Sequence, residues 1–410
     1  DFSVGEIVPN GYYDFERGAW IPALDGRVVK VLSETGGTAV LDVTGGGQAA
    51  SQSQLDQMGI STAELEAVAA GMRNPAQRRA DLRAQWAANE VGRGRLLELA
   101  GRGGEAALRS GMTAILDYAE RRTRACLAAL PDGSWEAIDT LEGGPRGERD
   151  VTVRVRATIS GDGLELDFGG TDAQVNGNLN CPLPVTRAAA FFAVRVLTDP
   201  DAPPSAGAHR PIAVIAPEGS LLNATAPAAV AAGNVETSSR VADVVLWALA
   251  DAASGPVQGQ GTMNSLTLAG ADWTYYETIG GGQGACRDAD GPSAVHVAMS
   301  NTLNTPIEAL ESELPLRVRR LAIRRGSGGA GRRQGGDGVV REIEALEPTD
   351  FTLITERRRT APRGRDGGGD GTAGRNLLNG NELPSKAAGR LAPGDLLRIE
   401  TPGGGGHGAG

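Results

Sequence analysis

The sequence predicts an α+β protein, with a helical N-terminal part, a mixed α/β core and a β-rich, glycine-rich C-terminal region. Three observations carry this. Helical apolar spacing begins near Asn74, a strict two-residue alternation begins at Val151, and 22 of the 60 glycines fall in residues 326–410. The expected division is 1–73 unassigned, a divergent or truncated N-terminal segment; 74–145 helical; 146–325 an α/β core with the candidate site; and 326–410 β-rich.

Residues 1–70 give the weakest pattern. Val28–Leu32 and Thr38–Val43 read as a strand pair across Glu34–Gly37, followed by a polar, Gln-rich loop. From Asn74 the pattern is helical. Pro75 stands where a first-turn proline is tolerated, and Leu82, Trp86, Leu96, Leu97 and Leu99 give apolar spacing, with Gly92 and Gly94 weakening or breaking it. A second helix is expected over Gly111–Leu130, with Ile115, Ala119, Cys126 and Leu130 near one face. Pro131-Asp132-Gly133 stops it.

In Val151–Ile159 apolar residues alternate with Thr152, Arg154, Arg156 and Thr158. After Gly161-Asp162-Gly163, Leu164, Leu166 and Phe168 continue the alternation, which reads as a β-hairpin with one buried face. Helices are expected over Val185–Leu197 and Ser238–Ala253, the latter with Val241, Val244/Val245 and Ala248 inward. Strands are expected at Pro211–Ile215, Ser265–Leu268, Trp273–Ile279, Leu316–Arg324, Gly338–Leu346, Phe351–Thr355 and Leu396–Glu400.

Composition excludes several functions. A formal charge of -10 and a pI near 5.1 argue against nucleic acid or an anionic membrane as partner. No apolar stretch approaches a membrane span. Cys126, Cys181 and Cys286 are odd in number and scattered, which fits reduced thiols and a cytoplasmic location. Lys30 and Lys386 are the only lysines, and neither follows a P-loop glycine, so no Walker-type ATP site is written in this chain. Gly326–Gly331 satisfies G-x-G-x-x-G, but the Arg- and Gly-rich run after it cannot open the helix a dinucleotide site needs.

The candidate site residues come from polar clusters inside apolar elements. Asn234, Glu236 and Thr237, with Ser238 and Ser239, precede a helix, where hydroxyls and free N–H groups either bind an anion or simply cap. Tyr275-Tyr276-Glu277 runs into Gly280-Gly281-Gly282, read as backbone approaching a ligand or as a flexible turn. Among the three histidines, His209 sits in a loop and His407 in the glycine tail. His296 lies in an alternating segment leading to Asn301 and Asn304, and is weighed between function and core packing. Glu236, Glu277 and His296 are the acid–base candidates.

Phe168-Gly169-Gly170-Thr171-Asp172, Asn176-Gly177-Asn178, Ala216-Pro217-Glu218-Gly219-Ser220, Gly233-Asn234-Val235-Glu236-Thr237-Ser238, Gln260-Gly261-Thr262-Met263-Asn264 and Tyr276-Glu277-Thr278 come in this order. They are followed by Gly326–Gly331, Gly335-Gly336-Asp337-Gly338, Glu356-Arg357-Arg358-Arg359, Gly374-Arg375-Asn376, Asn379-Gly380 and Thr401-Pro402-Gly403-Gly404-Gly405-Gly406. In this the chain closely resembles the hydantoinase B/5-oxoprolinase family, colinearly from about Asn74. The resemblance implies the B-type subunit of an ATP-dependent amidohydrolase acting on a small cyclic amide. A hydantoinase A-type partner would hold ATP and phosphorylate the carbonyl, and the missing Walker motif agrees with that division. A related acetone- or acetophenone-type carboxylase subunit, or a non-catalytic assembly subunit, are the alternatives. By the same resemblance Asn234, Thr237, Asn264, Asn301 and Asn304 bind substrate, while Glu236, Glu277 and His296 assist catalysis. The family implies a divalent metal, but its N-terminal Gly-Gly-Thr-His and His-His-Asp segments have no counterpart, since no histidine precedes His209. The family's second histidine after His296 is Ala298 here, and its tail tyrosine is His407. The expectation is a chain truncated or rearranged at its N-terminus.

Overall fold

The computed structural model describes residues 75–144 and 149–410, with six short strands and Gln48 before them; its side chains are described at Gln48 and from residue 78 on. The chain forms two compact units, 1–113 and 114–410.

In the first unit β1 (Ile7–Val8) pairs antiparallel with β4 (Gly26–Arg27), β2 (Gly11–Asp14) with β3 (Ala19–Pro22), and β5 (Lys30–Thr35) with β6 (Thr38–Asp42). The last is the expected pair, with its first strand displaced two residues along the chain. The expected Gln-rich loop lies outside the described residues except at Gln48. Helix α1 (Pro75–Gly103) runs unbroken through Gly92 and Gly94, so of the two expected outcomes, weakening or breaking, the break does not occur. Each glycine costs about 1 kcal/mol against alanine, and the long run of Arg, Gln, Glu, Leu and Ala around them outweighs that. Its Trp86, Leu96, Leu97 and Leu99 are exposed rather than forming a buried face.

Helix α2 (Glu105–Ala128) begins earlier than expected, and its inner face is Ala119, Thr123 and Leu127, spaced by four. Ala119 is buried as expected, but Ile115 is 60% exposed, so the inward face is turned toward Thr123 and Leu127. The stop at Pro131 is where it was read, and β7 (Gly133–Leu141) follows. With β8 (Val151–Ser160), β9 (Gly163–Asp167) and β10 (Ile212–Ile215) it forms a sheet of order β10-β9-β8-β7, with only the β10–β9 pair parallel. Val151, Val153, Val155, Ala157 and Ile159 all point into the first core, as the alternation requires. Helices α3 (Leu183–Thr198) and α4 (Ser238–Leu249) cover that face. Only Trp247 of α4 is not fully buried, so the helix is sunk in protein on all sides rather than on one stripe.

The second core lies between two antiparallel sheets. One has the order β12-β11-β15-β18, from β11 (Ser265–Ala269), β12 (Thr274–Glu277), β15 (Thr349–Ile354) and β18 (Lys386–Leu391). The other is β13-β14-β19-β16-β17, from β13 (Leu316–Arg324), β14 (Gly338–Ala345), β16 (Arg375–Leu378), β17 (Asn381–Leu383) and β19 (Leu396–Glu400). Leu266, Leu268, Ile343, Phe351, Leu353, Leu397 and Ile399 fill the space between them, with Leu310 of the short helix α5 (Ile307–Glu313). Strands β16, β17 and β18 were not read from the sequence, because they are short and carry Asn, Gly and Lys. Sheet hydrogen bonds cross the expected boundaries at 145/146, through β7–β8, and at 325/326, through β13–β14. The architecture is α+β.

The glycine runs are packing, not slack. Gly282 N donates to Pro402 O at 3.0 Å and Gly404 N to Gly336 O at 2.9 Å, so loops distant in sequence lie backbone on backbone. A Cβ on Gly404 would stand 2.0 Å from Gln283 O, and one on Gly282 would stand 2.0 Å from Gly336 O. Gly404→Ala is therefore expected to destabilise the chain by at least about 1–3 kcal/mol, measured as a lower urea midpoint. Gly380→Ala, at an open position, would meet only the strain of its positive φ.

Candidate functional site

A buried charge network joins the two cores. Asp139 lies on β7, Arg240 and Asp243 one turn apart on α4, and Glu356, Arg357 and Arg358 just after β15. Asp139 Oδ2 accepts from Arg240 Nη1 at 2.9 Å, Arg357 Nη2 at 2.7 Å and Gln258 Nε2 at 2.8 Å. Arg357 Nη2 also reaches Asp243 Oδ2 at 2.9 Å. Burial alone would raise the Asp139 carboxyl, but the two guanidiniums overcome it and hold it below the ordinary range. Lys386, at the start of β18, is ion-paired with Glu356 and donates to Glu142 O at 2.6 Å. Glu142 in turn accepts from the backbone N–H groups of Arg358 and Arg359 at 2.8 and 2.7 Å.

Glu236 and Asn264 belong to the wall of this network. Glu236 is fully buried; Oε1 accepts from Met263 N at 3.3 Å, and Oε2 has no hydrogen-bond partner. Burial first, and then the neighbouring Glu356, push its carboxyl up to about 7. Asn264 donates to Gln260 Oε1 at 2.8 Å and accepts from Arg358 Nη2 at 2.9 Å. Thr237 donates to Leu179 O at 2.5 Å, and Ser238 and Ser239 donate to Val235 O. These hydroxyls are committed to carbonyls, and no side chain caps α4, which continues from a π-helical turn over Gly233–Thr237. Asn234 is exposed at the rim of that turn.

Because the carboxyl of Glu236 ionises higher in the folded chain than in the unfolded one, it holds its proton longer when folded. Stability is therefore expected to fall as pH rises from about 4.5 through about 7, by on the order of 3 kcal/mol in total. Glu236→Gln should flatten that part of the curve in urea unfolding. An unchanged slope would show that Glu236 is ionised in the folded state.

Glu277 sits apart from Glu236. Arg341 Nε and Nη2 donate to its two oxygens at 3.1 and 3.2 Å, and Tyr275 donates at 2.9 Å. The glycines after it approach other backbone, not open space.

His296, Asn301 and Asn304 come together. They line a cleft of about 590 Å³ whose other walls include Ile279, Gly280, Leu321, Ile323 and Val339. His296 Nδ1 lies 2.5 Å from Ser300 Oγ, and burial lowers the imidazole below its usual value, so the neutral ring is favoured at neutral pH. Glu236, Glu277, Asn234, Thr237 and Asn264 are not among the residues lining this cleft. The remaining histidines lie elsewhere: His209 stacks on Phe191 at 4.0 Å, and His407 Nε2 meets Asp366 at 3.2 Å.

Among the described residues no group of three or more His, Cys, Asp or Glu is placed to hold a metal ion. The donor chemistry agrees, since the buried carboxylates of Asp139, Asp243 and Glu356 are already met by Arg240, Arg357 and Lys386. The described residues do not fit the metal that the resemblance implies.

Sequence reasoning missed Asp139, Glu142, Arg240 and Asp243 as network members. Two signals were present: the Glu356–Arg359 motif, and the rarity of Lys386.

The family model described as Hydantoinase B/oxoprolinase matches residues 46–410. The chain is 37% identical over 344 residues to 5-oxoprolinase 1 of Arabidopsis thaliana, covering 80% of this chain and 27% of that protein. It is 31% identical over 351 residues to a putative D-/L-hydantoinase B-type subunit of Pseudomonas sp. (strain NS671), covering 80% and 59%. The chain thus spans less than two thirds of these relatives' length. In fold it is similar to the ATP-dependent caprolactamase from Pseudomonas jessenii, with a TM-score of 0.72 at 22% identity, over 98% of this chain and 68% of that one. Among the described residues no helix is long and apolar enough to cross a membrane.

Proposed function

Since the chain belongs to the hydantoinase B/oxoprolinase family, we propose that it is the B-type subunit of an ATP-dependent enzyme opening a five-membered cyclic amide. The family match over 46–410 carries this reading. It is supported by a bacterial relative named as a hydantoinase component of the B type, and by a plant 5-oxoprolinase of which the chain matches only a part. On this reading an A-type partner binds ATP and phosphorylates the ring carbonyl, and this chain completes hydrolysis with water.

The cleft at His296 is the place proposed for the ring. Its apolar walls suit the ring methylenes, and Asn301 and Asn304 offer amide donors and acceptors to the ring amide. His296, neutral at working pH, takes and returns the proton of the attacking water. Asn264 donates to the carbonyl of Ile279, a wall residue of the cleft, at 3.2 Å, and Glu236 accepts from Met263 N, whose carbonyl in turn holds Ile279 N, so these two act as positioning residues. Co-expression with an A-type partner, followed by assay of ATP hydrolysis with hydantoin, with 5-oxoproline, and with a ketone plus bicarbonate, tests the reading. Ring opening of either cyclic amide is expected. Turnover of the ketone alone would select a carboxylase, and turnover that does not need this chain would leave it an assembly component.

A further inference from the structure

We propose that the face built from the glycine-rich loops binds a phosphate group through Arg287, Arg332 and Arg333. Two clefts of about 640 and 510 Å³ open there, and both have Ser254, Arg287 and Arg332 in their walls. Arg333 completes the smaller cleft, and Arg365 and His407 help to line the larger. In a chain of net charge -10 most arginines near carboxylates are paired, as Arg365 is with Asp251. Arg287, Arg332 and Arg333 have no side-chain hydrogen bond or ion pair among the described residues. Of the acids in the walls, Asp251 is ion-paired with Arg365, Asp366 lies 3.2 Å from His407 Nε2 in the larger cleft, and Asp288 is the one acid lining the smaller cleft, beside Arg287, Arg332 and Arg333.

The backbone presenting these side chains is fixed. Arg332 N donates to Gly408 O at 3.0 Å, Arg333 N to His407 O at 3.0 Å, and His407 N back to Arg333 O at 2.9 Å. Cys286 N donates to Ala289 O at 2.8 Å, closing the turn that carries Arg287. Unpaired like charges lining one cleft repel one another, and a multiply charged anion relieves that repulsion. The planar guanidinium fork matches two phosphate oxygens at once. The occupant is thus a phosphate, either the free ion or the monoester of a small organic molecule. This site is separate from the cleft at His296 and does not depend on the function proposed for it.

The test is calorimetric titration of the full chain with inorganic phosphate, phenyl phosphate and acetate. Saturable binding of at least one phosphate, tighter than acetate, is expected. Binding of inorganic phosphate assigns the free ion, and binding of phenyl phosphate alone assigns the monoester. Arg332→Ala and Arg287→Ala, on two different loops, should each weaken it about tenfold or more, and Arg332→Lys by less. Arg325→Ala, an exposed arginine elsewhere, should leave it unchanged. The proposal is overturned if neither phosphate saturates, if acetate binds equally well, or if Arg325→Ala weakens binding as much as Arg332→Ala.

Discussion

Replacing Arg357 by methionine is expected to lower the free energy of unfolding by about 3–5 kcal/mol, the cost of leaving buried carboxylates without their cation. Arg357 is 1% exposed and bonds both Asp139 and Asp243, which are themselves buried. Methionine fills much of the volume but supplies no donor, so the penalty is electrostatic rather than a cavity. Arg240 remains on Asp139 but stands 3.8 Å from Asp243, too far to replace the lost hydrogen bond. The damage should be joint, because the network ties β7 and α4 of the first core to the segment after β15. Urea unfolding monitored at Trp135, against the first core, and at Trp273, against the second, reads this. A shift below about 1 kcal/mol would mean that the network is not what holds the cores together. Arg390→Met, whose partner Asp350 is 3.9 Å away and mostly exposed, serves as the comparison and should change little.

Replacing His296 by alanine should lower turnover of the reconstituted enzyme by about 10²–10⁴-fold, the usual worth of a positioned proton-transfer group. The half-buried ring makes one side-chain hydrogen bond, to Ser300, so the folded chain should survive the change. Because burial lowers the imidazole's pKa, the acid limb of the wild-type rate profile should lie below pH 6.5 and vanish in the variant. An unchanged rate would remove His296 from the proposed chemistry.

Legibility in the sequence followed the range of the interactions. The β8–β9 hairpin was plain, because alternation and a Gly-Asp-Gly turn are local signals. His296, Asn301 and Asn304 were readable together for the same reason: one short loop carries all three. The charge network was not, since Asp139 and Arg357 are 218 positions apart and Lys386 reaches Glu142 O across 244. Glu277 stands in the sequence as an acid–base candidate on a strand, but its partner Arg341 lies on another sheet. Taken one by one, the glycine runs read as turns, as loops or, at Gly280–Gly282, as backbone approaching a ligand. Their contact with one another depends on four runs meeting in space, which no single run encodes.

On the proposed function, this chain couples a partner's ATP hydrolysis to the opening of a cyclic amide. The direct measurement is the amount of ring-opened product and of ADP formed by the A-type partner with and without this chain. The two should form in equal amounts, and only when the chain is present. Ring opening that proceeds as fast with the chain omitted would contradict the claim.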